Sequence, residues 1–246
     1  MKVALCLSGQ PRFFRQGFEY FKNALDGIDT DYFLHSWYDQ SEIGKDLSHA
    51  APEGKNPIGW SVMDDTDNKL LDLFSPKRYL IEKQKKFQPK YDFQSRSQTW
   101  QDPEVFMSML YSRKKVGELL SEYVKETGAK YDWVICTRTD IAIQIPIMEE
   151  FEHANAQQDY LSAHVPGKEW NKDLINPAII ASSLENMVYW SGLYDYYEDY
   201  WLEGVTYCDH RMCYHHLEKT NKNLKSFLVP QGIGWSYIRA NGLRIC

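Results

Sequence analysis

Three short polar sequences in this chain come directly after apolar runs and carry side chains suited to binding a phosphorylated ligand. They are Ser8-Gly9-Gln10, His35-Ser36-Trp37 and Arg138-Thr139-Asp140. Arginine binds phosphate through two parallel hydrogen bonds, and a carboxylate can hold the divalent cation that accompanies a phosphate chain. The hydroxyl, amide and imidazole groups add hydrogen-bonding partners, and the indole adds an aromatic surface. Together these residue types predict a site for a phosphorylated nucleoside.

The first of these sequences carries more polar groups than a turn requires. A strand-to-helix turn needs only a glycine and a cap, whereas Gln10, Arg12 and Arg15 add an amide and two positive charges. The helix dipole disfavours an arginine at a helix N-terminus. An arginine found there therefore favours the interpretation that it binds a ligand. The alternative is that Gly9 is only a turn residue, with Gln10 and Arg12 on the surface.

His35 and Trp37 also have a structural alternative. A histidine can be a hydrogen-bonded core residue, and a tryptophan can simply fill space. Their interpretation as ligand-binding residues depends on the convergence of all three sequences at one sheet edge, because ligands of open α/β sheets bind outside the carboxyl ends of the strands.

The elements that must position these residues follow from the hydrophobic pattern. Strands are predicted at residues 2–7, 31–37, 77–82, 131–137, 141–147, 159–164, 176–182 and 224–230. Helices are predicted from Pro11, over 64–74, from Pro103 to Lys125 with a stop at Gly128, from Leu184 to about Trp201, and within 208–219. The alternation predicts an α/β fold whose sheet is mostly parallel in the first half and mixed in the second.

The longest predicted helix has its apolar residues on or near one face. They are Val105, Met109, Val116, Leu120 and Val124. The segment from Tyr38 to Trp60 shows no periodicity and contains three glycines, so we expect a mobile flap over the binding edge.

The composition excludes several classes of protein. A net charge of −6, without a long basic stripe, argues against a nucleic-acid polymer as partner. Five cysteines without a C-x-x-C pair indicate free thiols of a reducing compartment. No stretch has membrane-spanning length, and the apolar start of the chain breaks at Ser8, unlike a signal peptide. We expect a cytoplasmic protein with one domain spanning 1–246.

Four motifs resemble the small GT-A-type glycosyltransferases of bacterial polysaccharide clusters and large DNA viruses. They are "LSGQPR", "HSW", "YSRKKVGEL" and "YDWVICTRTD", in this order along the chain. The resemblance implies a GT-A-like, Rossmann-like open mixed sheet flanked by helices, whose carboxyl edge binds a nucleotide-sugar donor. It implies a glycan or other hydroxyl compound as acceptor. The implied donor-binding residues are Ser8, Gly9, Gln10, Arg12, His35, Trp37 and Arg138.

The resemblance also implies Mn²⁺ or Mg²⁺, which an Asp-x-Asp motif holds in such enzymes. The matching triplet here departs from that motif, because Arg138 stands at its first position and only Asp140 remains. Asp140 is the expected metal ligand, with the alternative that Arg138 itself neutralises the phosphate charge. A second triplet, Asp65-Thr66-Asp67, matches the letters but starts a predicted helix, where aspartate is an ordinary cap.

The polar sequence "CDHRMCYHHLEK" supplies the last candidates. It lacks the i, i+4 ligand spacing of a helical zinc site. By resemblance, Asp209 is the candidate catalytic base and His210 a candidate metal ligand, while Asp209 as a helix cap is the alternative. The aromatic segment 187–201 is either a core helix or a wall that stacks on sugar. The predicted function is glycosyl transfer, and the alternative is a non-catalytic α/β module that binds a nucleotide or glycan.

Overall fold

A computed structural model describes residues 1–45, 60–96, 102–163, 175–226, 234–240 and 242–244. The strands over these residues are β1 (Lys2–Gly9), β2 (Asp29–Trp37), β3 (Arg78–Glu82), β4 (Trp133–Thr137), β5 (Ile141–Ile143), β6 (Asp159–Ala163), β7 (Asn176–Ser182), β8 (Asn223–Ser226), β9 (Trp235–Arg239) and β10 (Gly242–Arg244). The α-helices are α1 (Phe14–Ala24), α2 (Thr66–Phe74), α3 (Pro103–Thr127), α4 (Ile147–Glu152), α5 (Leu184–Ser191), α6 (Tyr197–Leu202) and α7 (Asp209–Glu218).

Seven strands form one mixed sheet in the order β3-β2-β1-β4-β7-β6-β8. Strands β3, β2, β1 and β4 are parallel, β7 runs antiparallel to β4 and β6, and β8 is parallel to β6. Residues of α1, α2 and α4 cover one face, and residues of α3, α5, α6 and α7 cover the other. The predicted open mixed α/β sheet flanked by helices is confirmed.

The chain reverses its direction of travel across the sheet at β1. It proceeds from β1 outward to β2 and β3, and then returns to place β4 on the other side of β1. Such a reversal opens a crevice at the carboxyl ends of the two central strands, where open α/β sheets bind their ligands. The turns that follow β1 and β4 therefore lie at the favoured position for a site.

A second, three-stranded sheet of order β10-β9-β5 lies beyond β4. The predicted strand at 141–147 is only partly correct, because β5 ends at Ile143 and α4 begins at Ile147. Strand β9 runs antiparallel to β5 and donates a further hydrogen bond from the Ile238 amide to the Asp140 carbonyl, at 2.9 Å. Strands β9 and β10 were not predicted, and they bring a late part of the chain to the turn after β4.

Three predicted helices differ from the structure. Helix α1 begins at Phe14 rather than Pro11, because Arg12 and Phe13 form a turn in which Phe13 has a left-handed φ of 48°. The predicted helix from Leu184 to Trp201 is interrupted by a 3-10 turn at Gly192–Asp195. Helix α3 ends at Gly128 as predicted, but Val105 and Met109 are only half-buried, and Phe106 and Leu110 carry the buried face instead.

The structure also bears on the predicted free thiols, on membrane-spanning helices and on the predicted flap. Cys6, Cys136, Cys208 and Cys213 are buried free thiols, as expected. Over the parts of the chain given above, no helix combines the length and the apolar character that crossing a membrane requires. Most of the predicted flap, residues 46–59, lies outside the described residues.

Candidate active site

The turns after β1 and β4 are joined directly. The Thr139 hydroxyl donates to the Arg12 carbonyl at 3.0 Å and to the Gln10 carbonyl at 3.2 Å. Helix α1 closes onto the same turn at Gly17, where an added Cβ would lie only 1.9 Å from the Thr139 carbonyl oxygen. The structure therefore brings together two of the three polar sequences, and a glycine in α1 permits the close approach.

The turn after β1 is shaped by Gly9 and held by Gln10. Gly9 has a φ of +108°, a conformation that residues with a side chain rarely adopt. The Arg12 guanidinium donates to the Gln10 side-chain oxygen from Nε at 2.8 Å and also from Nη2. The Ser8 side chain hydrogen-bonds the Cys136 thiol of the neighbouring strand β4.

Asp140 is the centre of a group of arginines. Its carboxylate is 1% exposed and accepts from Arg138 at two positions, Nε to Oδ1 at 2.8 Å and Nη2 to Oδ2 at 2.6 Å. Arg239 of β9 donates from Nη1 to Oδ2 at 3.1 Å. Burial alone would raise the pKa of Asp140, but Arg138, Arg239 and Arg12 together lower it below its ordinary value.

We call Arg12, Arg138 and Arg239, with Asp140 between them, the arginine cluster. The cluster contains three guanidinium groups around one carboxylate. Arg138 uses Nε and Nη2 for Asp140, and 30% of its side chain is exposed. The Tyr237 ring lies beside both Arg138 and Arg239, at 5.6 Å and 4.9 Å from their guanidinium carbons. The cluster can attract an anion with two or more negative charges.

Asp209 lies in a separate buried ion pair. The Arg113 guanidinium of α3 donates to Asp209 from Nη1 at 2.9 Å and from Nη2 at 3.3 Å, and also to the Pro177 carbonyl. Both oxygens of Asp209 therefore accept from Arg113 rather than capping α7. Arg113 is close enough to Arg138 to affect its pKa, so this pair borders the arginine cluster. A catalytic base at Asp209 stays a prediction.

His35 and Trp37 lie on the α3 face of β2 and contact protein. His35 Nδ1 is 2.6 Å from the Ser112 hydroxyl and Nε2 is 3.2 Å from Glu82, and burial lowers the pKa of His35 to about 4. The Trp37 ring stacks on Tyr111 and is 4% exposed. The structure thus places both residues in packed surroundings, and donor binding by them stays a prediction.

The donor set at this edge does not fit Mn²⁺ or Mg²⁺. Hard divalent cations need several oxygen ligands, and the oxygens of Asp140 and Asp209 already accept from arginines. His210 Nδ1 is 2.6 Å from the Ile175 carbonyl and donates this bond, so a metal at His210 would have to bind Nε2. Within the described ranges, no group of three or more His, Cys, Asp or Glu side chains is placed to hold a metal ion.

The alternative triplet at Asp65 is also engaged by the protein. It lies at the start of α2, as expected, but the Asp65 side chain makes no capping bond to the helix. Asp65 instead accepts from the Asn68 amide at 2.6 Å, and the Thr66 hydroxyl donates to the Met63 carbonyl at 2.7 Å. This triplet is therefore a structural helix start.

Two arginines of this region were missed by sequence reasoning. Arg113 interrupts the buried stripe of α3, following Phe106 and Leu110 at helical spacing, and a cation in such a stripe is a signal of an internal partner. Arg239 offered no comparable signal, because its role depends on the pairing of β9 with β5.

No protein-family model and no curated protein matches this sequence. Among solved structures, the chain is similar to a candidate nucleotide-diphospho-sugar transferase from Desulfovibrio desulfuricans G20, with 8% identity, a TM-score of 0.43, and coverage of 93% of this chain and 79% of that chain. It is also similar to an active-site mutant of LgtC, with 9% identity, a TM-score of 0.47, and coverage of 92% and 72%. The galactosyltransferase LgtC in complex with donor and acceptor sugar analogues gives 9% identity, a TM-score of 0.46, and coverage of 92% and 73%. TM-scores this low support no inference about activity.

Proposed function

We propose that the protein is a glycosyltransferase that moves a sugar from a nucleoside-diphosphate-sugar to a hydroxyl of a glycan or other acceptor. The observation that carries the proposal is the arginine cluster at the switch point between β1 and β4. The diphosphate of a nucleotide-sugar is an anion that suits this group of guanidinium groups, because arginine binds phosphate oxygens in pairs.

The reaction makes specific demands on such a site. The bond between the anomeric carbon and the diphosphate breaks, so the diphosphate leaves with added negative charge, while the acceptor oxygen bonds to the same carbon and loses its proton. Positive groups fixed in advance around the leaving diphosphate stabilise that charge. Arg12 and Arg138, held by Gln10 and Asp140, are fixed in this way. Asp209 as the base that accepts the proton of the acceptor hydroxyl stays a prediction.

Nucleoside diphosphate binding tests the proposal directly. We expect UDP, GDP or ADP to bind in isothermal titration and to raise the melting temperature, because a ligand of the native state stabilises it. Arg138→Gln should weaken this binding by about ten-fold or more, since it removes charge-assisted hydrogen bonds. Arg78→Gln is the matched control, because Arg78 is a partly exposed arginine at the start of β3, away from the carboxyl ends of the strands. Absence of binding by every nucleotide tested would contradict the proposal.

The second candidate is the non-catalytic nucleotide- or glycan-binding module. The observation in its favour is that Asp140 and Asp209 both accept from arginines, so neither is placed as an unpaired base. Release of nucleoside diphosphate from nucleotide-sugars, measured with and without acceptor sugars, separates the two. Acceptor-dependent release supports the transferase, and tight binding without release supports the module.

A further inference from the structure

The arginine cluster determines how the charge of a bound diphosphate is balanced. In a site that uses a divalent cation, the cation bridges a carboxylate of the protein and the phosphate oxygens. The carboxylate must then have a lone pair directed at the cation. At Asp140, Oδ1 accepts one hydrogen bond from Arg138, and Oδ2 accepts one each from Arg138 and Arg239, so arginines occupy three of the four lone pairs of the carboxylate.

Displacing these arginines would carry a large cost. A cation that replaced the arginines at Asp140, which is 1% exposed, would take this carboxylate from the largely buried Arg239, and a buried ion pair that loses one partner is strongly destabilised. A cation at Asp140 would also lie among three guanidinium groups and be repelled by each of them. The electrostatic environment of Asp140 therefore favours a bound anion and disfavours a bound divalent cation.

We infer that this site binds nucleoside diphosphates without a divalent cation, and that Arg12, Arg138 and Arg239 supply the positive charge that the cation would otherwise supply. Asp140 is then a positioning residue, which holds the planar guanidinium of Arg138 and the end of Arg239 at the mouth of the crevice. This inference rests on the proposed function, since it concerns the same site.

The geometry of the pair supports the positioning role. Arg138 meets Asp140 through two parallel hydrogen bonds, which fix the plane of the guanidinium as well as its distance. Its Nη1 takes no part in this pair. Arg239 approaches the same carboxylate from β9, so one side chain sets the spacing between a guanidinium of the turn after β4 and a guanidinium of the three-stranded sheet.

The decisive experiment is a titration of the wild-type protein with UDP, GDP and ADP in excess EDTA and in excess Mn²⁺. We expect dissociation constants that differ by no more than about three-fold between the two conditions. Binding that appears only with Mn²⁺ would overturn the inference and leave the proposed function standing. Failure of all three nucleotides to bind in either condition would overturn both.

Variants at the cluster separate charge balance from metal binding. Arg12→Gln and Arg138→Gln should each weaken binding about ten-fold or more in EDTA, with Arg78→Gln unchanged. Asp140→Asn should weaken binding by the same factor in EDTA and in Mn²⁺, because it misplaces the arginines. A loss confined to the Mn²⁺ titration would identify Asp140 as a metal ligand and overturn its positioning role. If Asp140→Asn does not fold, Asp140→Glu, which keeps the charge, is compared in the same two titrations.

Discussion

The ion pair between Arg113 and Asp209 gives the sharpest expectation about a single residue. Both side chains are buried, and each oxygen of Asp209 accepts a hydrogen bond from Arg113. Asp209→Asn leaves the Arg113 charge without compensation, so we expect the free energy of unfolding to fall by about 3 kcal/mol, as is typical when one partner of a buried pair is removed. Urea denaturation followed by circular dichroism measures this change.

Asp195→Asn is the control for that experiment. Asp195 also pairs with a cation of α3, Lys114, but half of its side chain is exposed. Exposed pairs contribute little, so the control should change stability by less than about 1 kcal/mol. Equal effects of the two substitutions would show that burial does not distinguish the pairs.

At this scale, sequence reasoning finds residues whose position is local. Arg12, Arg138 and Asp140 could be predicted because they follow strands directly and the carboxyl ends of adjacent parallel strands meet. The partner of Asp209 could not be predicted, because Arg113 reaches it across about 100 residues of sequence. The position of Arg239 likewise depends on the pairing of β9 with β5, which no local sequence pattern predicts.

At the scale of elements, the contact between α1 and the turn after β4 is the most constrained. In Gly17→Ala, the new Cβ would meet the Thr139 carbonyl at 1.9 Å, and backbone on both sides must move. We expect a loss of about 1–3 kcal/mol of stability, as for other overpacked sites. Under the proposed function, nucleoside diphosphate affinity should also fall, because Arg12 lies in the turn that leads into α1 and Arg138 lies in the turn after β4.

Gly192→Ala is the matched control for Gly17→Ala. Gly192 has a φ of −71°, and nothing lies within 4 Å of an added Cβ. Thermal unfolding and titration of the two variants give the comparison. A Gly17→Ala protein with the stability and affinity of the Gly192→Ala protein would contradict the close approach of α1.

Helices with clear hydrophobic periodicity could be predicted from the sequence, but a break within such a helix could not. Helix α3 combines an Asp102 cap, Pro103 at its first position and Gly128 at its end, so its bounds follow from side-chain chemistry. The aromatic segment is helical on both sides of the 3-10 turn at Gly192–Asp195. Trp190, Tyr197, Tyr200 and Trp201 are buried in the core on the α3 face, as the core interpretation predicts.

At the scale of the whole molecule, two buried histidines should make stability depend on pH. Burial lowers the pKa of His35 and of His216 from 6.5 to about 4. In the unfolded chain both take up protons between pH 7 and pH 5, while the folded protein does not. The unfolded state binds more protons in this window, so stability falls as the pH falls, by about 2 kcal/mol for each histidine.

The His216→Gln variant tests this expectation. His216 accepts from the Tyr200 hydroxyl at Nδ1 and donates from Nε2 to the Tyr189 carbonyl, and a glutamine amide can offer the same pair of groups. The decrease in unfolding free energy between pH 7 and pH 5 should be smaller in the variant by about 2 kcal/mol. Identical pH dependence in wild type and variant would exclude His216 as a source.

During translation, Asp140 is synthesised well before Arg239. About 100 residues lie between them, which take roughly 5 to 20 s to translate at 5–20 residues per second. Strands β1, β2, β3 and β4 and the pair of Arg138 with Asp140 precede that interval, whereas β9 and Arg239 follow it. A nascent chain can therefore pair the four parallel strands of the large sheet early, whereas the arginine cluster is complete only after Arg239 has been made.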